Sequence, residues 1–117
     1  MKLLLIIKTI IIINKIYMKA IFLIHNQSVT EQINYLLERL DIKAYTKWET
    51  VIGKGTVGEP RFGTHTWPEL NSALISVVDD EKVQPFLSAI HKLDKINEGA
   101  GIKAFVWDVL MSSDDVE

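Results

Sequence analysis

The fold class that this sequence predicts is an α+β sandwich, with two helices laid on one face of a four-stranded sheet. Three observations predict it. From Met18 onward, short β-type runs and runs of helical period follow one another in the order βαββαβ. Glycine and proline gather in one stretch, so one connection is long and the others are short. A chain of 117 residues and 13.3 kDa has room for one modest core and not for two.

The first element from Met18 is a strand over 19–25, ended by the polar Asn26 and Gln27. Ser28 then opens S-V-T-E, the pattern of a capping box, in which the Ser28 hydroxyl covers a backbone N–H and Glu31 reaches back. The helix that follows places Val29, Ile33, Leu36, Leu37 and Leu40 on one face. Aromatic, β-branched and polar residues alternate over 43–52 as a second strand. Glycines 53, 55, 58 and 63 and prolines 60 and 68 then suspend periodicity, which predicts one substantial loop over 53–69. A third strand over 70–78 runs into Asp79 and Asp80, whose charge suits the start of a second helix. That helix buries Val83, Phe86, Leu87, Ile90 and Leu93, and Pro85 is tolerated in its first turn. Gly99 and Gly101 stop it, and a last strand covers 102–109. The order is that of the ferredoxin-like sandwich. Residues 111–117 read as a frayed acidic tail, and 18–110 as the domain.

The other face of the sheet is unusual. Ile21 and Leu23 lie on one side of the first strand, and Ala20, Phe22 and Ile24 on the other; in the last strand Phe105 and Trp107 oppose Ala104 and Val106. A sheet apolar on both faces predicts that neighbouring subunits cover the second face in a closed, cyclic oligomer.

Residues 1–17 stand apart. Their apolar run is interrupted by Lys8 and ended by Asn14 and Lys15 without a small-residue cleavage site, and it is short of the roughly 20 residues that span a bilayer. They read as an extension upstream of a start at Met18, with an extra edge strand or a membrane-touching tail as the competing readings. A formal charge of −2 and a pI near 5.9, without a basic stripe, exclude an electrostatic footprint for nucleic acid. The absence of cysteine excludes disulfides, thiolate metal sites and cysteine nucleophiles, and fits a cytoplasmic protein. No G-x-S-x-G elbow, H-E-x-x-H pair or Walker loop is present, so the chain reads as a non-enzyme.

Four stretches in this order resemble the PII signalling proteins (nitrogen regulatory protein P-II) and their PII-like relatives: MKAIFLIH at 18–25, the loop between strands two and three, VVDDEKVQPFLSAIHKL at 77–93, and EGAGIKAFVWDV at 98–109. The helix entry is similar to the family's V-P-D-E-x-V run, and GAGIKAFV to its short glycine loop and K-x-F-V strand. The resemblance implies a homotrimer with small-molecule sites in the clefts between subunits. It also implies a mobile T-loop that reports occupancy to a protein partner, a membrane transporter being one class. On that resemblance Gly53, Lys54 and Gly55 match the glycine-basic-glycine base of the T-loop, and Gly99, Ala100 and Gly101 match the second glycine loop. Glycine lets backbone N–H groups approach phosphate closely while a cation balances charge. Departures are visible: Ala100 stands where the family has an acidic residue, the following basic residue is displaced to Lys103, the C-terminal arginines are missing, and the loop holds no tyrosine. An adenine nucleotide and a divalent metal both stay open as ligands.

The effector-binding candidates are therefore Gly53, Lys54, Gly55, Arg61, Gly99, Gly101 and Lys103, with Arg61 and Lys54 suited to clamp an anion and a salt bridge to Glu59 or Glu69 the competing role of Arg61. Within RFGTHTWPELNS, the residues Phe62, Thr64 and Trp67 are the candidates for partner contact, or for pinning the loop. His65 with Glu69, or Glu59, has the chemistry of a metal site, though at no recognised spacing. That is the alternative function, a CutA-like module linked to metal tolerance or efflux. A third reading is a small dimeric ferredoxin-like enzyme. His25 and His91 read as structural, and the three tryptophans as packing residues rather than a ligand pocket.

Overall fold

The computed structural model describes residues 2–16 and 18–117. Its elements are helix α1 (Lys2–Ile16), strand β1 (Met18–Asn26), helix α2 (Thr30–Arg39), strands β2 (Thr46–Val51) and β3 (Asn71–Asp79), helix α3 (Val83–Ile96) and strand β4 (Lys103–Asp108). The sheet is antiparallel with the order β2-β3-β1-β4, the ferredoxin-like arrangement. β1 is central and pairs along its length, from Met18 opposite Asp79 to Asn26 opposite Asn71.

One face of the sheet is closed by α2 and α3. Ile21, Leu23 and Leu74 point into this side and are buried with Val29, Ile33 and Leu37 of the first helical segment and Val83, Phe86 and Ile90 of the second. Leu36, Leu40, Leu87 and Leu93 pack at its margin. The period of the apolar residues is thus the period of burial, and each such side chain contributes about 1.5–3 kcal/mol.

Local details depart from expectation. The capping box at Ser28 and Glu31 does not form. A 3-10 turn, Gln27–Val29, precedes α2; the Asn26 side chain caps it by accepting from the Ser28 N–H (2.9 Å), and Val29 enters α2 without a side-chain cap. Asn26 is a better cap because it ends a fully paired strand and is held still. Just beyond α2, Asp41 with a φ of 57° turns the chain left-handed; Lys82 covers the freed carbonyls of Leu40 and Asp41 at 2.9 and 3.0 Å. Asp79 makes no side-chain cap, while Asp80 lies 3.9 Å from Lys19, which also pairs with Asp108. Pro85 falls in the first turn of α3, as expected.

β2 begins at Thr46, later than expected, and bulges. Trp48 pairs with Ala73 and Val51 with Asn71, so Glu49 and Thr50 face Ser72 alone. The Glu49 carbonyl is satisfied instead by Ser72 Oγ (2.6 Å) and Gln27 Nε2 (2.8 Å). The acidic tail closes in a 3-10 turn, Ser113–Asp115, with a reciprocal capping box between Ser112 and Asp115. Residues 2–16 form a helix, which overturns the edge-strand reading.

Candidate functional site

At the end of the sheet where β2 leaves and β4 enters, the open face sinks into a cleft of about 690 Å³. Its floor is Phe22, Ile24, Ala73 and Phe105; its walls are the start of the long loop, Gly53 to Val57, and the turn Gly101 to Lys103. Lys54, Arg61 and Lys103 supply positive charge, Glu59 and Asp94 negative charge.

Arg61 organises this cleft. Its backbone pairs with Gly53 in both directions, N–H to carbonyl at 2.7 and 2.9 Å, which closes residues 54–60 into a separate lobe. Its guanidinium donates from Nη1 to Asn71 Oδ1 (3.0 Å) and from Nη2 to the Gly99 carbonyl (2.6 Å). One side chain therefore ties the loop base to the start of β3 and to the turn before β4. Nε is buried and has no partner. The approach explains Gly101: its φ is 57°, and a Cβ there would lie 2.5 Å from Arg61 Nη1. The turn itself is held from below, since the Ala100 N–H reaches Asn97, its carbonyl accepts from Asn26, and Asp94 accepts from the Ile102 N–H at 3.1 Å.

Six of the seven effector candidates line the cleft: Gly53, Lys54, Gly55, Arg61, Gly101 and Lys103. Gly99 joins them through its bond to Arg61. The expected single loop is two lobes. Beyond Arg61, Gly63 donates to Glu69 (3.1 Å), Thr64 donates to the Trp67 carbonyl (2.9 Å), and Trp67 donates back to Thr64 Oγ1 (3.0 Å). Phe62 is exposed and Trp67 half-buried. His65 and Glu69 are both exposed, and among the described residues no three His, Asp or Glu side chains come together to hold a metal ion. Trp48 and Trp107 lie exposed on the two outer strands, at opposite edges of the sheet, and Trp107 stacks obliquely on Phe22 at 6.2 Å.

Two residues of the cleft have no local signal. Asn71 and Asp94 are ordinary polar residues in sequence, and only the folded chain sets them beside Arg61 and the glycine turn. Phe22 and Phe105 do carry a signal, as apolar residues on the uncovered face.

A family model described as nitrogen regulatory protein P-II matches residues 18–113. The chain belongs to the P-II family. Solved P-II-like structures share its fold. CPII, a nitrogen regulatory PII-like protein from Thiomonas intermedia K12 bound to ADP, AMP and bicarbonate, is 24% identical with a TM-score of 0.62, over 79% of this chain and 89% of that one. PII of Arabidopsis thaliana bound to citrate is 17% identical with a TM-score of 0.57, over 80% and 78%. A DUF3240 family protein of Shewanella baltica OS155 also shares the fold, 14% identical with a TM-score of 0.60, over 83% and 94%. At these identities the likeness establishes the fold. No curated protein matches the chain. The cleft lies between the start of the 53–69 loop and the turn Gly101 to Lys103, and α1 precedes the matched region.

Proposed function

We propose that the protein is a homotrimeric, cytoplasmic PII-like sensor without catalytic activity, which binds a small anionic effector in the cleft and signals to a protein partner through residues 53–69. The observation that carries this reading is Arg61. It belongs to the loop and yet bonds to the opposite wall of the cleft. An effector that competes for the guanidinium, or completes its cradle, favours one loop conformation and shifts the population by its differential affinity. Lys54 and Lys103 flank the same space and would meet phosphate or carboxylate oxygens. Support for the trimer comes from the open sheet face, where Trp48, Val77, Phe105 and Trp107 lie about half exposed. The ligands of the Thiomonas and Arabidopsis relatives name the chemistry to try first, an adenine nucleotide, bicarbonate or citrate.

Thermal unfolding with each of these anions tests the reading. A ligand at about 100 times its Kd adds roughly 2.7 kcal/mol, about 10 °C for a chain of this size. Lys103→Ala and Arg61→Ala should abolish the shift. No shift with any of the anions, or a shift indifferent to both substitutions, sinks the proposal.

A further inference from the structure

The P-II match begins at Met18, so helix α1 is an addition to the common domain, and the cleft makes no use of it. Apart from Lys2, Lys8, Thr9, Asn14 and Lys15, every residue of α1 is Leu or Ile. No part of the sandwich covers its first half: Leu3 is 70% exposed, Leu5 67% and Ile6 55%. Such a surface on a helix apolar nearly all round calls for an apolar solvent or a partner.

Charge decides which. The helix carries Lys2, Lys8 and Lys15 and no acidic residue, and the first carboxylate side chain of the sequence is Glu31. A bundle with other copies of α1 would bring these lysines near one another with no counter-charge on the helix. An anionic lipid surface supplies both the apolar phase and the counter-charge. Length then sets the geometry. Fifteen residues reach about 22 Å, short of the roughly 30 Å hydrocarbon core, and among the described residues no helix is long and apolar enough to cross a membrane. Lysine stems are long enough to keep their ammonium groups at the headgroups while the helix body sinks into one leaflet.

We propose that α1 is a lipid-surface anchor that inserts Leu3, Leu5 and Ile6 into one leaflet of a bilayer bearing anionic headgroups, with Lys2 and Lys8 at the phosphates. The inference stands independently of the effector cleft. It would hold the sensor at the membrane, where a loop-read partner embedded in the bilayer comes within reach.

Flotation of the full chain tests it, with vesicles of phosphatidylcholine alone and vesicles in which part of that lipid is replaced by phosphatidylglycerol. The chain should float with the phosphatidylglycerol vesicles, less so at high salt. The pair Leu5→Asp and Ile6→Asp should abolish flotation. Lys8→Glu should lower it roughly thirty-fold, at about five-fold per unit of charge. Each variant should keep the thermal unfolding of the sandwich. Absence of flotation with phosphatidylglycerol vesicles overturns the proposal, as does equal flotation with phosphatidylcholine alone or unchanged flotation of the double variant. A change of oligomer size in the double variant, without vesicle binding by the parent chain, assigns α1 to a second copy and overturns it too.

Discussion

On the helix-covered face of the sheet Ile21, Leu23 and Leu74 are completely buried, whereas on the opposite face Trp48, Phe105 and Trp107 keep 47%, 52% and 47% of their surface exposed. Side chains of the same chemistry thus differ in what covers them. On the first face the cover is built into the chain, since α2 and α3 are amphipathic and short connections return them to the sheet. On the second face β2, β3, β1 and β4 contribute apolar residues for which the described chain has no helix. Apolar area that folding leaves exposed is available for association. The cleft lies at the margin of this second face, so an effector and a neighbouring subunit would share the same surface.

The sharpest way to break the comparison is on the covered face. Phe86→Ala should cost about 3–5 kcal/mol in denaturant unfolding, because Phe86 is 1% exposed within the core cluster and its loss leaves a cavity there. A loss under 1 kcal/mol would mean that the two faces are not distinct in energy. On the open face, Phe105→Glu should convert the proposed trimer to monomers by light scattering while the far-UV dichroism stays unchanged. An assembly of unaltered mass would show that this face is not the interface.

Next comes the boundary between the faces. Arg61→Ala removes two charge-assisted hydrogen bonds and should lower the local stability of the loop base by about 1–2 kcal/mol, read as faster amide exchange at Gly53 and Arg61. Exchange as slow as in the parent chain would assign the bridge to the backbone pair alone.

The smallest effect belongs to His25, fully buried on the covered face. Burial lowers its pKa from the ordinary value and Lys47 adds to this, against the opposing effect of the bond between Nδ1 and the Asn26 carbonyl. The unfolded chain therefore binds a proton at a pH where the folded chain does not. This contribution to stability is complete above about pH 6.5 and declines as pH falls from there toward the folded pKa. His25→Gln should flatten that part of the stability curve; an unchanged slope would place its origin elsewhere.

Much of the fold can be read in the sequence, because the elements announce themselves by period. Ile33 and Leu37, or Phe86 and Ile90, lie one turn apart on the buried faces of their helices, and the two-sided apolar character of Ala20 to Ile24 is plain from alternation alone. Local competition is harder to read. Ser28 and Asn26 both have the chemistry of a cap, and Asn26 prevails because the pairing of β1 with β3 and the bond to Ala100 hold it in place. Glu49 and Thr50 look like ordinary strand residues; the bulge depends on Ser72 and Gln27, each more than twenty residues away.

Composition and spacing were enough for the order of the elements from Met18 onward, the buried helix faces, the uncovered sheet face and the glycine-rich segments beside a cation, since each is encoded within a few neighbouring residues. The cleft is different in kind. Arg61 meets Gly99 across 38 positions, and its position over Gly101 depends on the turn of the chain after α3. The division of residues 53–69 into two lobes rests on the same residue. Contacts of that range leave no periodic trace, because they come from the paths of separate elements and not from the preferences of any one of them; only the closed sandwich brings the arginine to the glycines.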